Sequence, residues 1–154
     1  MDDKIILLVE DNKDDVDLTL RALTRNNILN KVVVARDGEE ALTYLLESNH
    51  LKDNPLKSLP VVILLDLKLP KIDGLEVLQR LREHEKTKYI PVVILTTSSE
   101  DQDLLRGYRL GANSYIRKPV DFQQFTEAIK QLGLYWLVLN EPPPFVRRME
   151  DNER

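Results

Sequence analysis

Five side chains in this 154-residue chain stand just past short strand-like runs and have the chemistry to act together. Glu10 and Asp11 follow Ile5 to Val9, Asp66 follows Val61 to Leu65, Thr96 follows Val92 to Leu95, and Lys118 follows Ser114 to Arg117. Three carboxylates brought to one place repel one another unless a cation sits among them. An all-oxygen ligand set suits a hard ion such as Mg²⁺, which prefers octahedral oxygens and keeps several waters. An amine and a hydroxyl opposite are the donors that an incoming phosphoryl group needs, because its charge is spread over three equatorial oxygens. Such a constellation would hold metal and phosphate together. Asp66 leaves the run that reads as the central strand and is the best placed nucleophile, since a carboxylate can form an acyl phosphate. Lys118 and Thr96 would then contact the phosphoryl oxygens while the metal neutralises charge.

The elements must bring these residues to one edge. Ile5 to Val9 reads as a buried strand, and Asn12, Asp14 or Asp15 can cap a helix carrying Val16, Leu20 and Leu23 that stops near Asn26 and Asn27. Lys31 to Ala35 is a second strand, Asp37-Gly38 a turn, and Glu39 to Glu47 a helix carrying Ala41, Leu42, Leu45 and Leu46. A polar connection over 48–60 leads to the central strand, Val61 to Leu65. Pro70 and Asp73-Gly74 then shape a loop, since proline lacks a donor and Asp-Gly favours a turn. A third helix carries Leu75, Leu78, Leu81 and Arg82 and ends around His84. Pro91 opens a strand from Val92 to Leu95, a helix runs from about Glu100 to a C-cap at Gly111, and Ser114 to Arg117 is the last strand. Asp121 with Gln124 has the form of a capping box for a fifth helix.

Strand and helix alternate five times, which predicts an α/β fold: one five-stranded parallel sheet with helices on both faces, joined by right-handed crossovers. In such a sheet the ends of strands one, three, four and five converge at the carboxyl edge, where open α/β sheets place their sites. Taken singly, each residue has a plainer reading, a Lys-Pro surface turn or the polar end of a strand. The convergence is what distinguishes them.

Composition narrows the classes. There is no cysteine, and the two histidines, His50 and His84, are too few for a histidine-based metal centre and read as surface residues. Net charge is −4 with both signs mixed along the chain, so no broad basic surface attracts nucleic acid or anionic lipid. No apolar run reaches membrane-spanning length, and the start does not read as a signal peptide; a cytoplasmic location is expected. The nucleotide-binding patterns G-x-x-x-x-G-K-[ST] and G-x-G-x-x-G are absent. A flavodoxin-like FMN protein shares the expected sheet, but its first loop must accept a phosphate, and Glu10-Asp11-Asn12-Lys13-Asp14-Asp15 would repel one.

At these positions, over about residues 4 to 132, the chain resembles the receiver domain of two-component response regulators. The resemblance implies a flavodoxin-like, CheY-like three-layer sandwich with strand order 2-1-3-4-5. It implies that Asp66 is the phosphoacceptor, that Asp11 ligates Mg²⁺ directly and Glu10 mainly through metal-bound water, and that the backbone carbonyl of Lys68 completes the shell. Thr96 and Lys118 match the family's hydroxyl and lysine, and Tyr115 its switch aromatic. Thr97, beside the hydroxyl, is larger than the residue often found there. Two other readings stay open: a receiver-like scaffold that is never phosphorylated, and an Asp-nucleophile phosphohydrolase. The latter commonly has a second Asp two residues past the nucleophile, where this chain has Lys68.

Phe122, Phe125, Ile129, Leu132, Trp136 and Leu139 form a stripe on the last helix, and beyond Leu132 the other faces turn apolar too, with Leu134, Tyr135, Leu137 and Val138. We expect a receiver domain over 1–139 and a C-terminal extension over 140–154, with a homodimer through the last helix and that extension. This ending and the long 48–60 connection resemble the single-domain response regulators of cyanobacterial and bacterial phytochromes. That resemblance implies a sensor histidine kinase, a phytochrome, as partner. No DNA-binding unit is expected after residue 139, since Arg147-Arg148 is too short a basic patch.

Overall fold

Apolar residues alternate between the two faces of a five-stranded parallel sheet, and that alternation builds two cores. The computed structural model describes residues 4–47, 59–96, 101–117, 121–133 and 136. In chain order the elements are β1 (Ile5–Val9), α1 (Lys13–Arg25), β2 (Lys31–Ala35), α2 (Gly38–Leu42) with a π-helical turn (Thr43–Glu47), β3 (Val62–Leu65), α3 (Gly74–Glu83), β4 (Val92–Thr96), α4 (Asp101–Arg109), β5 (Ser114–Arg117) and α5 (Phe122–Gly133). The strand order is β2-β1-β3-β4-β5, as expected. Ile6 and Leu8, Val62 and Leu64, Val93 and Leu95 face α1 and α5, packing on Val16, Leu23, Phe125 and Ile129. Leu7 and Val9, Ile63 and Leu65, Val92 and Ile94 face the other way, onto Ala41, Leu45, Leu75, Leu78 and Leu81. Strands buried on both faces are why the sequence shows unbroken apolar runs there.

Helix ends follow their caps. Asn12 Oδ1 accepts from the Asp15 N–H at 3.0 Å, and Asp121 Oδ1 accepts from the Gln124 N–H at 2.8 Å. α1 ends at Arg25 with Asn26 as its C-cap, and the next residue, Asn27, takes φ 59° while the Ile28 N–H reaches back to Leu23 O at 2.9 Å. Gly111, at φ +102°, closes α4 in the same way, with the Ala112 N–H on Gly107 O at 2.9 Å. Asparagine and glycine tolerate this left-handed position where other residues are strained.

Two expectations need correction. Asp37-Gly38 and Asp73-Gly74 are not free turns. In each pair the aspartate is the N-cap, accepting from Glu40 N at 2.7 Å or Glu76 N at 3.0 Å, and the glycine is the first helical residue. The second helix is not α-helical to Glu47 but widens into a π-turn from Thr43, which still buries Leu45. The glycine expected to stop α4 does so: the helix runs to Arg109, and Gly111 takes the left-handed position just past it. The stripe on α5 packs on this chain's own sheet, with Phe125 and Ile129 buried and Phe122, Leu132 and Trp136 against the same core. The bulk of the 48–60 connection, Leu134, Tyr135 and the segment from 137 onward lie outside the described residues.

Candidate functional site

β1 and β3 pair in register from Ile6↔Val62 to Val9↔Leu65, so the residue after each strand emerges at the same edge. Glu10 holds its place through its N–H on Ala35 O at 2.9 Å, and Asp66 through its N–H on Val9 O at 3.0 Å. Carboxylate oxygens of Glu10, Asp11 and Asp66 all lie within 4.8 Å of one another. Glu10 is 2% and Asp66 8% exposed, while Asp11 is exposed. Three carboxylates this close, two of them buried, form an all-oxygen donor set that a hard divalent cation fits and that is costly without one.

Thr96, the last residue of β4, is fully buried beside this edge. Lys68 is exposed, and its N–H points to Asp66 Oδ1 at 3.4 Å, a weak contact that starts the turn out of β3. Tyr115 lies on β5 opposite Ile94, half-buried against the α2–α3 side of the core, with its ring centroid 6.4 Å from that of Tyr108. Lys118 and Thr97 lie outside the described residues.

Two glycines that were first read as turn formers fix the loop after Asp66. The Gly74 N–H closes it on Leu67 O at 2.8 Å, and a Cβ on Gly74 would stand 2.2 Å from Asp66 O. A Cβ on Gly38 would stand 2.0 Å from Ile72 O, so α2 also meets the loop backbone to backbone. Between them Lys71 takes φ 66°, with the Ile72 N–H donating to Pro70 O at 2.8 Å. A three-residue turn with positive φ at a non-glycine centre is a strained γ-turn. No local pattern in the sequence signals it, since Pro-Lys-Ile carries neither glycine nor asparagine. Hydrogen bonding to Glu39 and the charge of Asp37 raise the Lys71 pKa above its ordinary value.

The geometry can now be compared with known proteins. Residues 6–130 match the family model described as the response regulator receiver domain. The chain is 43% identical to the probable methanogenesis regulatory protein FilR2 of Methanothrix harundinacea, over 90% of this chain and 87% of that one. Among solved structures it is similar to the phosphorylated cyanobacterial phytochrome response regulator RcpA, with a TM-score of 0.81, 40% identity, and 91% and 98% of the two chains covered. The bacteriophytochrome response regulator AtBRR is 54% identical, with a TM-score of 0.70 and coverage of 90% and 98%. With these matches and the acidic trio at the strand ends, the chain belongs to the response regulator receiver domain family.

Proposed function

We propose that Asp66 accepts a phosphoryl group from the phosphohistidine of a sensor histidine kinase, a phytochrome, and that the phosphorylated protein signals through protein–protein contacts. The observation that carries this is the carboxylate trio of Glu10, Asp11 and Asp66 within 4.8 Å at the ends of β1 and β3. Those residues, with the backbone carbonyl of Lys68, would hold Mg²⁺. Mg²⁺, when bound, supplies neutralisation of the phosphoryl oxygens. An Asp66 carboxylate oxygen attacks phosphorus in line, the P–N bond to the histidine breaks, and an acyl phosphate remains on Asp66. The Thr96 hydroxyl and the Lys118 amine donate to phosphoryl oxygens, and Tyr115 follows Thr96 as the switch. Rigid seating of Asp66 by its N–H on Val9 supports the nucleophile role, since a positioned carboxylate loses little freedom on reaction. Similarity to RcpA and AtBRR supports the phytochrome partner. A homodimer through the last helix and the extension over 140–154 is supported by the sequence after α5, where Leu134, Tyr135, Leu137 and Val138 add apolar residues beyond those of the α5 stripe.

Intact mass after incubation with Mg²⁺ and acetyl phosphate tests the central step. Wild type is expected to gain one phosphoryl group, and Asp66→Ala, or wild type with the metal chelated, none. An unmodified wild type would instead favour a constitutive interaction module. Lys68→Ala is expected to change the lifetime of the acyl phosphate severalfold with little change in Mg²⁺ affinity, because only the backbone of residue 68 is assigned to the metal. Equal decay of the two phosphorylated proteins would refute that division of roles.

A further inference from the structure

The loop that leaves Asp66 is tied to the start of α2, an element with no assigned part in phosphoryl transfer. Lys71 Nζ lies 3.6 Å from Asp37 Oδ2 and 3.4 Å from Glu39 Oε1. Asp37 is not free to follow the lysine, because its other oxygen caps α2 through the Glu40 N–H at 2.7 Å. The Gly38 N–H faces Pro70 O at 3.5 Å, and the bare Cα of Gly38 lets Ile72 O approach where a side chain would stand. Lys71 itself occupies the strained centre of the γ-turn, a conformation that persists only when its surroundings hold it. Besides the closure by the Gly74 N–H, the contacts that hold it come from the start of α2 and its cap, Asp37.

We infer that Lys71 is a positioning residue: its bridges to Asp37 and Glu39 hold residues 67–73 in the course that carries Lys68 past the carboxylate trio, so that divalent-ion affinity and acyl-phosphate lifetime depend on the N-terminus of α2. This rests on the reading of Asp66 as the phosphoacceptor. The bridges are exposed, with side-chain exposures of 59% for Lys71 and 64% for Glu39, so the effect is bounded. Exposed pairs of this kind together shift an equilibrium by up to about fivefold.

The sign separates positioning from plain charge. Removing a cation near an acidic site tightens Mg²⁺ binding by Coulomb's law, whereas releasing the loop weakens it. The experiment is a calorimetric Mg²⁺ titration and an acyl-phosphate decay course on the full chain, for wild type, K71M, K71R, D37N and K71M/D37N. Asparagine caps a helix as well as aspartate does, so D37N removes the charge and keeps the cap. K71M is expected to weaken Mg²⁺ binding about threefold to fivefold and to alter the decay, with K71R restoring both to within about twofold. The double variant should bind no worse than K71M, and the gap from wild type should close near 1 M salt, where the screening length falls to about 3 Å. Unchanged or tighter binding in K71M, or effects of K71M and D37N that multiply, would overturn the inference. If wild type binds Mg²⁺ with the Lys71 dependence yet gains no phosphoryl group, the phosphoacceptor reading fails and the loop restraint stands. Normal labelling with an indifferent K71M gives the reverse.

Discussion

Gly74→Ala is expected to lower the melting temperature by about 6–12 °C, an effect of about 3 kcal/mol at the 2–4 °C per kcal/mol typical of chains this long. Helix propensity alone predicts the opposite sign, since alanine is favoured over glycine in a helix by about 1 kcal/mol. The close approach decides the matter. The new Cβ would stand 2.2 Å from Asp66 O and 2.6 Å from Leu67 Cα, and both are backbone atoms of a segment anchored to a buried strand. Neither can rotate away, so α3 must retreat or the end of β3 must shift. Either movement stretches the bond from the Gly74 N–H to Leu67 O, 2.8 Å in the native protein, and displaces the Asp66 peptide. Labelling by acetyl phosphate should therefore fall along with stability. Circular dichroism on heating, with intact mass as the second readout, checks both; a melting temperature at or above that of wild type would refute the steric account.

Arg82→Ala is expected to cost about 3–4 kcal/mol, read as a lower urea midpoint at unchanged slope. The guanidinium donates from Nε and Nη2 to Gly111 O at 3.1 and 2.7 Å, and from Nη1 to Lys88 O at 3.1 Å and Ile90 O at 2.7 Å. It also donates from Nη2 to Asn113 Oδ1 at 3.2 Å. One side chain thus joins the connection before β4 to the turn after α4. Burial lowers its pKa, yet arginine stays charged at any pH of interest, so these are charge-assisted bonds. Such bonds contribute about 1.5–3 kcal/mol each when tested singly. The total is set well below their sum, because the two connections relax and admit water once the fork is gone. Lysine has three donors and no planar fork, so Arg82→Lys should recover less than half of the loss. A midpoint for Arg82→Ala within error of wild type would show that the connections hold without it.

Much of this was legible in the sequence. The strands announce themselves because a parallel sheet covered on both faces needs unbroken apolar runs, and Glu10, Asp11, Asp66 and Thr96 stand out as polar residues that end such runs. Their convergence follows from strand alternation, and it is observed for the acidic trio. The Asp-Gly pairs at 37–38 and 73–74 were misread because an N-cap followed by glycine and a turn share the same two letters. What separates them is the backbone of a distant loop pressed against the glycine, and sequence cannot show that. Arg82 sits on the apolar stripe of α3, and a charge at an inward position was the available sign of a buried network. The γ-turn at Lys71 left no sign, since tertiary contacts impose its φ against local preference.

The pairing of β1 with β3 also sets an order of assembly. Ile6 meets Val62 with α1, β2 and α2 lying between them in the chain, so the acidic pair and Asp66 are joined only by a long loop closure. Non-local pairings of this kind form late and slowly. An ion held by the trio would find its full set of carboxylates only after that closure, and would favour the closed chain by mass action, by about 2.7 kcal/mol at a hundred times its dissociation constant. During synthesis, Glu10 and Asp11 leave the ribosome long before Asp66 does, and capture of an ion by all three would mark that the centre of the sheet has closed.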